Sequence, residues 1–479
     1  VNALFDRLFA NPIAARLLPI AWLLSLAGYI FAGVALTPFH ADEGTQIAMS
    51  RDAWAIAAGD FDALRYADRP SDPAAQELRL INGTLNPWAI GGLLMLSGYT
   101  VNDLPPPWDW GADIAYNVDR GARPPDPLLW LARLPSTTWY ALGLLPMFAL
   151  GWRVGGRAGA FIAAFLYALH PALLVNGRRA MMEGGLTALS LFTVWAGVWL
   201  VRVRARSGWA IAWAAIGLGI SSGLALASKH TAVFTVVVVY TAILVSILAT
   251  RTTARTADAP DVTALKRRPR RLLTAWALSA VLALGVFYLL TPTWWGDPLA
   301  RAGEVLRLRA DLLRGQTDAF GGYDGVGAAW AGWLEHGFFP FPQFYEVPGW
   351  GAYLAGEIGA YQQSVLDGVR DLPAGGLEGV LFGLFVPIMT LIGVGALLGR
   401  NQPPGMATPA ERTLILAWAL TMGAVTLLLT PLAWQRYYLP FHPAMILLVT
   451  AAMAWATRPA RTRPVRAGDP SGDIGRPTG

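Results

Sequence analysis

Four short charged stretches interrupt a chain otherwise built of long apolar runs. The first, Pro38-Phe39-His40-Ala41-Asp42-Glu43, carries two adjacent carboxylates. Such a pair suits proton abstraction from a hydroxyl, or cation binding. Its plainer reading is an acidic helix start favoured by the helix dipole. The second runs from Asn176 through Arg178 and Arg179 to Glu183. Arginine forks suit phosphate, and the plainer alternative is an Arg–Glu pair closing a turn. The third is Ser228-Lys229-His230, where Lys229 suits a phosphate or snorkels to lipid headgroups. His230 there reads as a hydrogen-bonded wall residue. The fourth, Pro431 to Pro440, contains Arg436 and Tyr437, a further cationic site or a headgroup contact. Carboxylates beside cations at one level fit a base next to a phosphate-bearing substrate, with Asp42, Glu43 and Glu183 as the acids. The same three acids are the only candidates for a divalent ion, which the sequence permits without requiring.

The elements that must position these residues are membrane helices. The 479 residues are 54% hydrophobic and only 14% charged, with mean hydropathy +0.42. A soluble chain carries about 25% charge. The apolar runs match the ~30 Å hydrocarbon core of a bilayer. Ten spans are expected, at 16–37, 128–150, 158–175, 184–201, 209–227, 231–249, 272–291, 379–399, 413–431 and 437–457. The first reads as a retained span and not a signal peptide. Arg and Lys cluster in segments 151–157, 202–207, 250–271 and 458–479, which ten spans place on one side together with the N-terminus. By the positive-inside rule that side is cytoplasmic. The expected architecture is therefore an all-α polytopic bundle over 1–457, followed by a basic tail at 458–479. Two long segments, 38–127 and 292–378, fall on the outer face with all four charged stretches. Residues 86–99 are apolar but too short to span, and read as a juxtamembrane helix. Residues 343–350, with Tyr345 and Glu346, read as a mobile cover over the site.

Cysteine is absent and histidine numbers five, so thiolate chemistry and a His-rich metal site are excluded. No P-loop, HExxH or GxSxG motif occurs. Acids at the rim, not mid-span, argue against an ion pump. Nothing points to nucleic acid; the expected partners are membrane lipids, a phosphate-bearing lipid and an acceptor of unknown kind. A flippase or transporter of polyprenyl-linked sugars is the alternative. It requires polar groups along the depth of a path, and the spans hold few.

The order and placement of these motifs resemble the GT-C-fold glycosyltransferases, specifically the protein O-mannosyltransferases and lipid A aminoarabinose transferases. Asp42-Glu43 resembles that family's acidic pair in the first outer loop, and Asn82 to Trp88 its stretch before a juxtamembrane helix. Arg133-Leu134-Pro135-Ser136 is similar to the opening of its second span, and Arg178 to Glu183 to its Arg-containing loop, with Glu183 where the family usually has Asp. Lys229, Thr291 to Pro298, and Arg436-Tyr437 also resemble recurring stretches. The segment 292–378 is too short for the β-trefoil insertion of eukaryotic protein mannosyltransferases. The resemblance implies an inverting transferase that moves a sugar from a polyprenyl phosphate to an acceptor hydroxyl. It implies Asp42 as base, with Glu43 and Glu183 orienting. Lys229, Arg178, Arg179 and Arg436 would hold the donor phosphate. His40, His230, Tyr345, Glu346 and Tyr437 are further candidates for substrate contact.

Overall fold

A computed structural model describes residues 10–457 apart from 206, 257–261, 340, 348, 369–375 and 400–404; for 205, 250–256, 262–269 and 376–382 it describes the backbone alone. The expected tail at 458–479 lies outside the described residues. Among those described, regular structure is entirely helical.

Helix α1 (Pro12–Ala32) starts where the Asn11 side chain accepts from the Ile13 amide and Pro12 fills the first turn. Both devices satisfy or remove orphan amide donors. Its large apolar residues point outward: Ile13, Leu17, Ile20 and Leu24 are exposed, while Leu26 and Ile30 are buried. An apolar helix with its greasy side outward is stable only against lipid. The same holds for α12 (Val233–Thr256) and α13 (Val262–Leu290), where Val237, Val245, Val281 and Leu289 are exposed. By contrast α10 (Glu183–Arg202) and α19 (His442–Ala456) are buried on almost every side. They form the bundle centre. Helix α11 (Gly208–Ser228) packs along α10 and α13; α19 lies against α17 (Gly376–Leu398); α18 (Pro409–Leu428) packs on α12.

Among the described residues, six helices are long and apolar enough to cross a membrane: 12–32, 183–202, 208–228, 230–249, 270–290 and 409–428. The expected spans 128–150 and 158–175 form one helical hairpin. Its arms are α7 (Asp126–Leu142) running into α8 (Leu144–Leu169), then the rest of α8 with α9 (Pro171–Arg178). The reversal is at Gly156, whose φ of 67° and ψ of −155° break the helix in a region open to glycine. Beyond it the arms run antiparallel, and Tyr167 Oη donates to the Tyr140 carbonyl at 3.1 Å. They touch closely enough that a Cβ on Gly151 would lie 2.6 Å from that of Ala163. Arg153, near the reversal, pairs with Glu411 at 2.7 Å and so fastens the hairpin to α18. The spans expected at 379–399 and 437–457 appear as shorter apolar helices, Gly383–Leu398 and His442–Ala456.

The two long inter-span segments form a helical layer over one end of the bundle. The first holds α2 (Ala41–Met49), α3 (Asp52–Ala57), α4 (Pro73–Ile81), α5 (Leu85–Leu96) and α6 (Ile114–Asp119). Helix α5 has 12 residues, about 18 Å at 1.5 Å per residue, well short of a bilayer. The second holds α14 (Pro298–Phe320), α15 (Val326–Phe338) and α16 (Trp350–Gln363). A separate apolar core, including Phe39, Ile47, Ile90, Trp108, Leu129 and Trp350, joins the two segments. The layer is thus a packed body that can hold side chains in fixed positions.

Candidate active site

Helix α2 begins with a capping box. The Asp42 amide donates to His40 Nδ1 at 3.1 Å, and the His40 amide donates to Glu43 Oε1 at 3.0 Å. This fixes the first turn and with it the directions of Asp42 and Glu43, which lie about 100° apart around the helix.

Glu43 points inward and is fully buried. Arg133 forks onto it at 2.8 and 2.9 Å, and the Ala180 amide donates to Oε2 at 2.9 Å. With the His40 amide, every acceptor site of the carboxylate is used. Arg133 also donates to the Val34 carbonyl at 3.0 Å. Burial alone would raise the Glu43 pKa, but Arg133 and the other donors hold it below the usual carboxylate range.

Arg178 and Arg179 are equally enclosed. Arg178 donates to the carbonyls of Ile30 at 2.8 Å and Tyr29 at 2.7 Å, to Tyr361 Oη at 3.0 Å, and to the Leu366 carbonyl. It thereby satisfies carbonyls near the end of α1, which have no helical partner of their own. Gly33 makes room for it, since a Cβ there would lie 2.3 Å from the guanidinium carbon. Arg179 donates to the carbonyls of Pro38 at 3.2 Å and Phe344 at 2.7 Å.

Asp42 points the other way, into a cavity of about 460 Å³. Thr45 and Gln46 share that face of α2, three and four residues on. Glu183 at the start of α10 and Lys229 at the end of α11 form the far wall, joined at 2.7 Å. Arg309, Leu312, Gln316 and Ala319 of α14 line another side at helical spacing. Trp434, Arg436 and Tyr437, in the turn before α19, close it. Arg436 Nη1 contacts Asp42 Oδ2, and the guanidinium lies 5.0 Å from the Trp434 ring. Tyr437 donates to Gln316 at 2.9 Å, and Arg309 to the Ile81 carbonyl.

A supporting layer stands behind Asp42 and Arg436. His40 Nε2 is 2.7 Å from Glu346 Oε2, and Glu346 Oε1 is 3.5 Å from Arg436 Nε. Because His40 Nδ1 accepts from an amide, its proton sits on Nε2 and faces Glu346. Burial pushes the His40 pKa down against the opposing pull of Glu346. Burial would raise Glu346, but His40 and Arg179 hold it low. Segment 343–350 was expected as a mobile cover. Near its start, Gln343 and Gln435 exchange side chain-to-amide hydrogen bonds at 2.9 and 2.7 Å, and Arg179 donates to the Phe344 carbonyl.

Of the residues singled out from sequence, Asp42, Glu183, Lys229, Arg436 and Tyr437 line the cavity. Glu43, Arg178, Arg179, His40 and Glu346 brace it from behind. Tyr345 lines a water-sized crevice beside Glu346, and His230 packs against the rings of Phe287 and Trp294 at 6.1 and 5.8 Å. Arg309, Thr45, Gln46 and Gln316 were missed. For Arg309 the signal was periodicity: Arg307, two residues earlier, faces solvent among Glu304 and Asp311, so Arg309 must face inward. The three acids considered for a divalent ion each face a cation. Among the described residues no three His, Asp or Glu side chains converge.

Fold and cavity define a polytopic helical membrane protein with a charged cavity at one end of its bundle. Residues 87–291 match the family model described as dolichyl-phosphate-mannose-protein mannosyltransferase. The resemblance to lipid-carrier-dependent glycosyltransferases read from the motifs therefore holds over this segment, which contains Arg133, Arg178, Arg179, Glu183 and Lys229. No curated protein matches the chain. Among solved structures, the Saccharomyces cerevisiae protein O-mannosyltransferase Pmt1–Pmt2 complex bound to sugar donor is 14% identical, over 57% of this chain and 34% of that one, with TM-score 0.37. The oligosaccharyltransferase AglB from Archaeoglobus fulgidus, in complex with an inhibitory peptide and a dolichol-phosphate, is 13% identical, over 91% of this chain and 50% of that one, with TM-score 0.48. ArnT from Cupriavidus metallidurans bound to undecaprenyl phosphate is 16% identical, over 91% and 76% of the two chains, with TM-score 0.34. The chain thus spans half or less of the first two.

Proposed function

We propose that the protein is an inverting glycosyltransferase that moves a sugar from a polyprenyl phosphate to an acceptor hydroxyl, at the outer face of the cytoplasmic membrane. The observation that carries this reading is one cavity holding a partly exposed carboxylate, Asp42, together with Lys229, Arg309 and Arg436. Arg202 lies at the other end of α10 from Glu183 and the cavity, which supports an outward-facing cavity and cytoplasmic termini.

Asp42 accepts the proton of the acceptor hydroxyl as that oxygen forms its bond to the anomeric carbon. The bond from that carbon to the phosphate oxygen breaks, and its electron pair leaves on the polyprenyl phosphate. Attack opposite the leaving group inverts the centre. The phosphate departs as an anion, so no acid is required, unlike glycoside hydrolysis. Lys229, Arg309 and Arg436 take up the charge that develops on it. Arg436 rests on Asp42, and an arriving phosphate competes for it and frees the base. Glu346 keeps the guanidinium in place as it turns.

The test is transfer of radiolabelled sugar from short-chain polyprenyl-phosphate donors to lipid, peptide and glycan acceptors by the detergent-purified protein. Transfer by wild type that Asp42→Asn loses while still binding donor is the expected result. Donor binding without transfer to any acceptor, in wild type and variant alike, would overturn catalysis and favour a transporter.

A further inference from the structure

Trp110 stands beside the base with a ring that the protein leaves half open. It lines the cavity together with Asp42, Pro107 and Trp108. Its ring lies 6.4 Å from that of His40 and 6.5 Å from that of Trp350, centre to centre, yet the residue stays 42% exposed. The loop that carries it is held on both sides. Pro105, Pro106 and Pro107 restrict the backbone before it. Trp108 is buried in the core of the outer layer, 5.8 Å from the Phe39 ring and 5.2 Å from that of Trp350. The buried Asn117 side chain takes both backbone groups of Asp109: it accepts from the amide and donates to the carbonyl, each at 2.8 Å. The Gly111 amide donates to the Asp109 carboxylate at 2.9 Å. An open indole on a fixed loop is a contact surface already ordered, so a ligand meets it at little entropic cost.

The displacement decides which substrate meets it. The acceptor oxygen must lie within hydrogen-bond reach of Asp42 to give up its proton. Attack opposite the leaving group places acceptor and phosphate on opposite sides of the anomeric carbon. Lys229 holds the phosphate at the far wall, so the acceptor belongs on the Asp42 side. Trp110 is on that side, since it adjoins His40, whose Nδ1 is 4.0 Å from Asp42 Oδ2.

The chemistry of the ring then selects the class of acceptor. An indole face is electron-rich, and the C–H bonds on one face of a pyranose turn partial positive charge toward it. A serine or threonine hydroxyl sits on a short stem with no such face. A peptide lying here would need backbone partners, and those of the loop are spent. The Asp109 amide and carbonyl and the amides of Gly111 and Ala112 are all bonded within it.

We infer that the acceptor is a saccharide, and that Trp110 is the platform on which its ring stacks while Asp42 takes the hydroxyl proton. The sugar hydroxyl oxygen bonds to the anomeric carbon, and polyprenyl phosphate leaves with the electron pair. This rests on the proposed transfer reaction.

The experiment measures transfer of radiolabelled sugar by the full chain in detergent. The donors are short-chain polyprenyl phosphates carrying mannose, glucose or N-acetylglucosamine. The acceptors are methyl glycosides and disaccharides, a peptide rich in serine and threonine, and diacylglycerol. A saccharide should accept, and the peptide and diacylglycerol should not. Trp110→Leu keeps apolar bulk without an aromatic face. It should raise the saccharide KM about tenfold or more, while kcat, donor binding and melting temperature stay near wild type. Trp110→Tyr should restore most of the KM. A ring that only anchored the protein at a membrane interface would have no such effect in detergent. If Trp110→Leu does not fold, the acceptor series decides. An unchanged KM in folded Trp110→Leu overturns the inference, as does transfer to the peptide or diacylglycerol in place of a saccharide. Both results leave the transfer reaction standing. Donor binding without transfer to any acceptor removes that reaction and the inference with it.

Discussion

Asp42 and Glu43 are adjacent in sequence, and their carboxylates serve opposite ends. Glu43 sits in a closed knot with Arg133, where every acceptor site is filled. Asp42 opens on a cavity whose wall still carries unpartnered polar atoms. The cations divide in the same way. Arg178 and Arg179 spend their donors on backbone carbonyls and one tyrosine, while Lys229 and Arg436 each hold a carboxylate that a ligand can reach. Burial does not separate the two groups, since Lys229 is only 8% exposed. What separates them is unused hydrogen-bonding capacity facing a cavity. A saturated charge fixes shape, and an unsaturated one awaits substrate.

The largest effect that would test this division is at Glu43. Glu43→Ala leaves Arg133 buried without its counter-charge, which costs about 3–5 kcal/mol. The expected result is loss of folded protein in detergent by size exclusion and thermal melting. A folded Glu43→Ala with full stability would break the comparison. Asp42→Asn should do the reverse. Its melting temperature should stay near wild type while turnover falls about 10²–10⁴-fold, the usual worth of a general base.

Much of this was legible in the sequence. Run lengths gave the membrane helices, because a bilayer sets their minimum length. The shared level of Asp42, Glu183, Lys229 and Arg436 located the cavity end. Arg178 and Arg179 also stood out, since they break the positive-inside trend, but the reason was misassigned. Their partners, the carbonyls of Tyr29, Ile30, Pro38 and Phe344, are about 140 or more residues away, and backbone acceptors leave no signature in sequence. Arg309 was hidden for another reason. It lies in α14 among Arg301, Arg307 and Arg314, and only the helical period distinguishes it.

That position supplies the next test. Arg309→Ala removes one of three cations facing the leaving phosphate. Turnover should fall about ten- to a hundredfold, less than the loss of a sole oxyanion donor, because Lys229 and Arg436 remain. Wild-type turnover would remove Arg309 from the site.

The bracing layer should register in acid. His40 titrates below 6.5 in the folded protein, so the unfolded chain takes up its proton first and stability falls as pH drops below 6.5. Glu43 and Glu346 titrate below 4.5 when folded. Their contribution is present above 4.5 and is lost as pH falls further. Melting temperature measured from about pH 8 to about pH 2 should therefore decline in two stages. His40→Asn keeps a capping side chain and should make the first stage shallower without changing the second. An unchanged first stage would detach His40 from the pH response.

The smallest effect is expected two residues from Arg309. Arg307 contacts Glu304 at 2.7 Å and Asp311 at 3.1 Å on the solvent face of α14. Exposed pairs of this kind are screened by water and add little. Arg307→Ala should leave melting temperature and turnover at wild-type values, while Arg309→Ala on the opposite face of the same turn lowers turnover. If both lowered it alike, the whole of α14, and not its cavity face, would be serving the reaction. The division between saturated and open charges would then no longer explain which residues act.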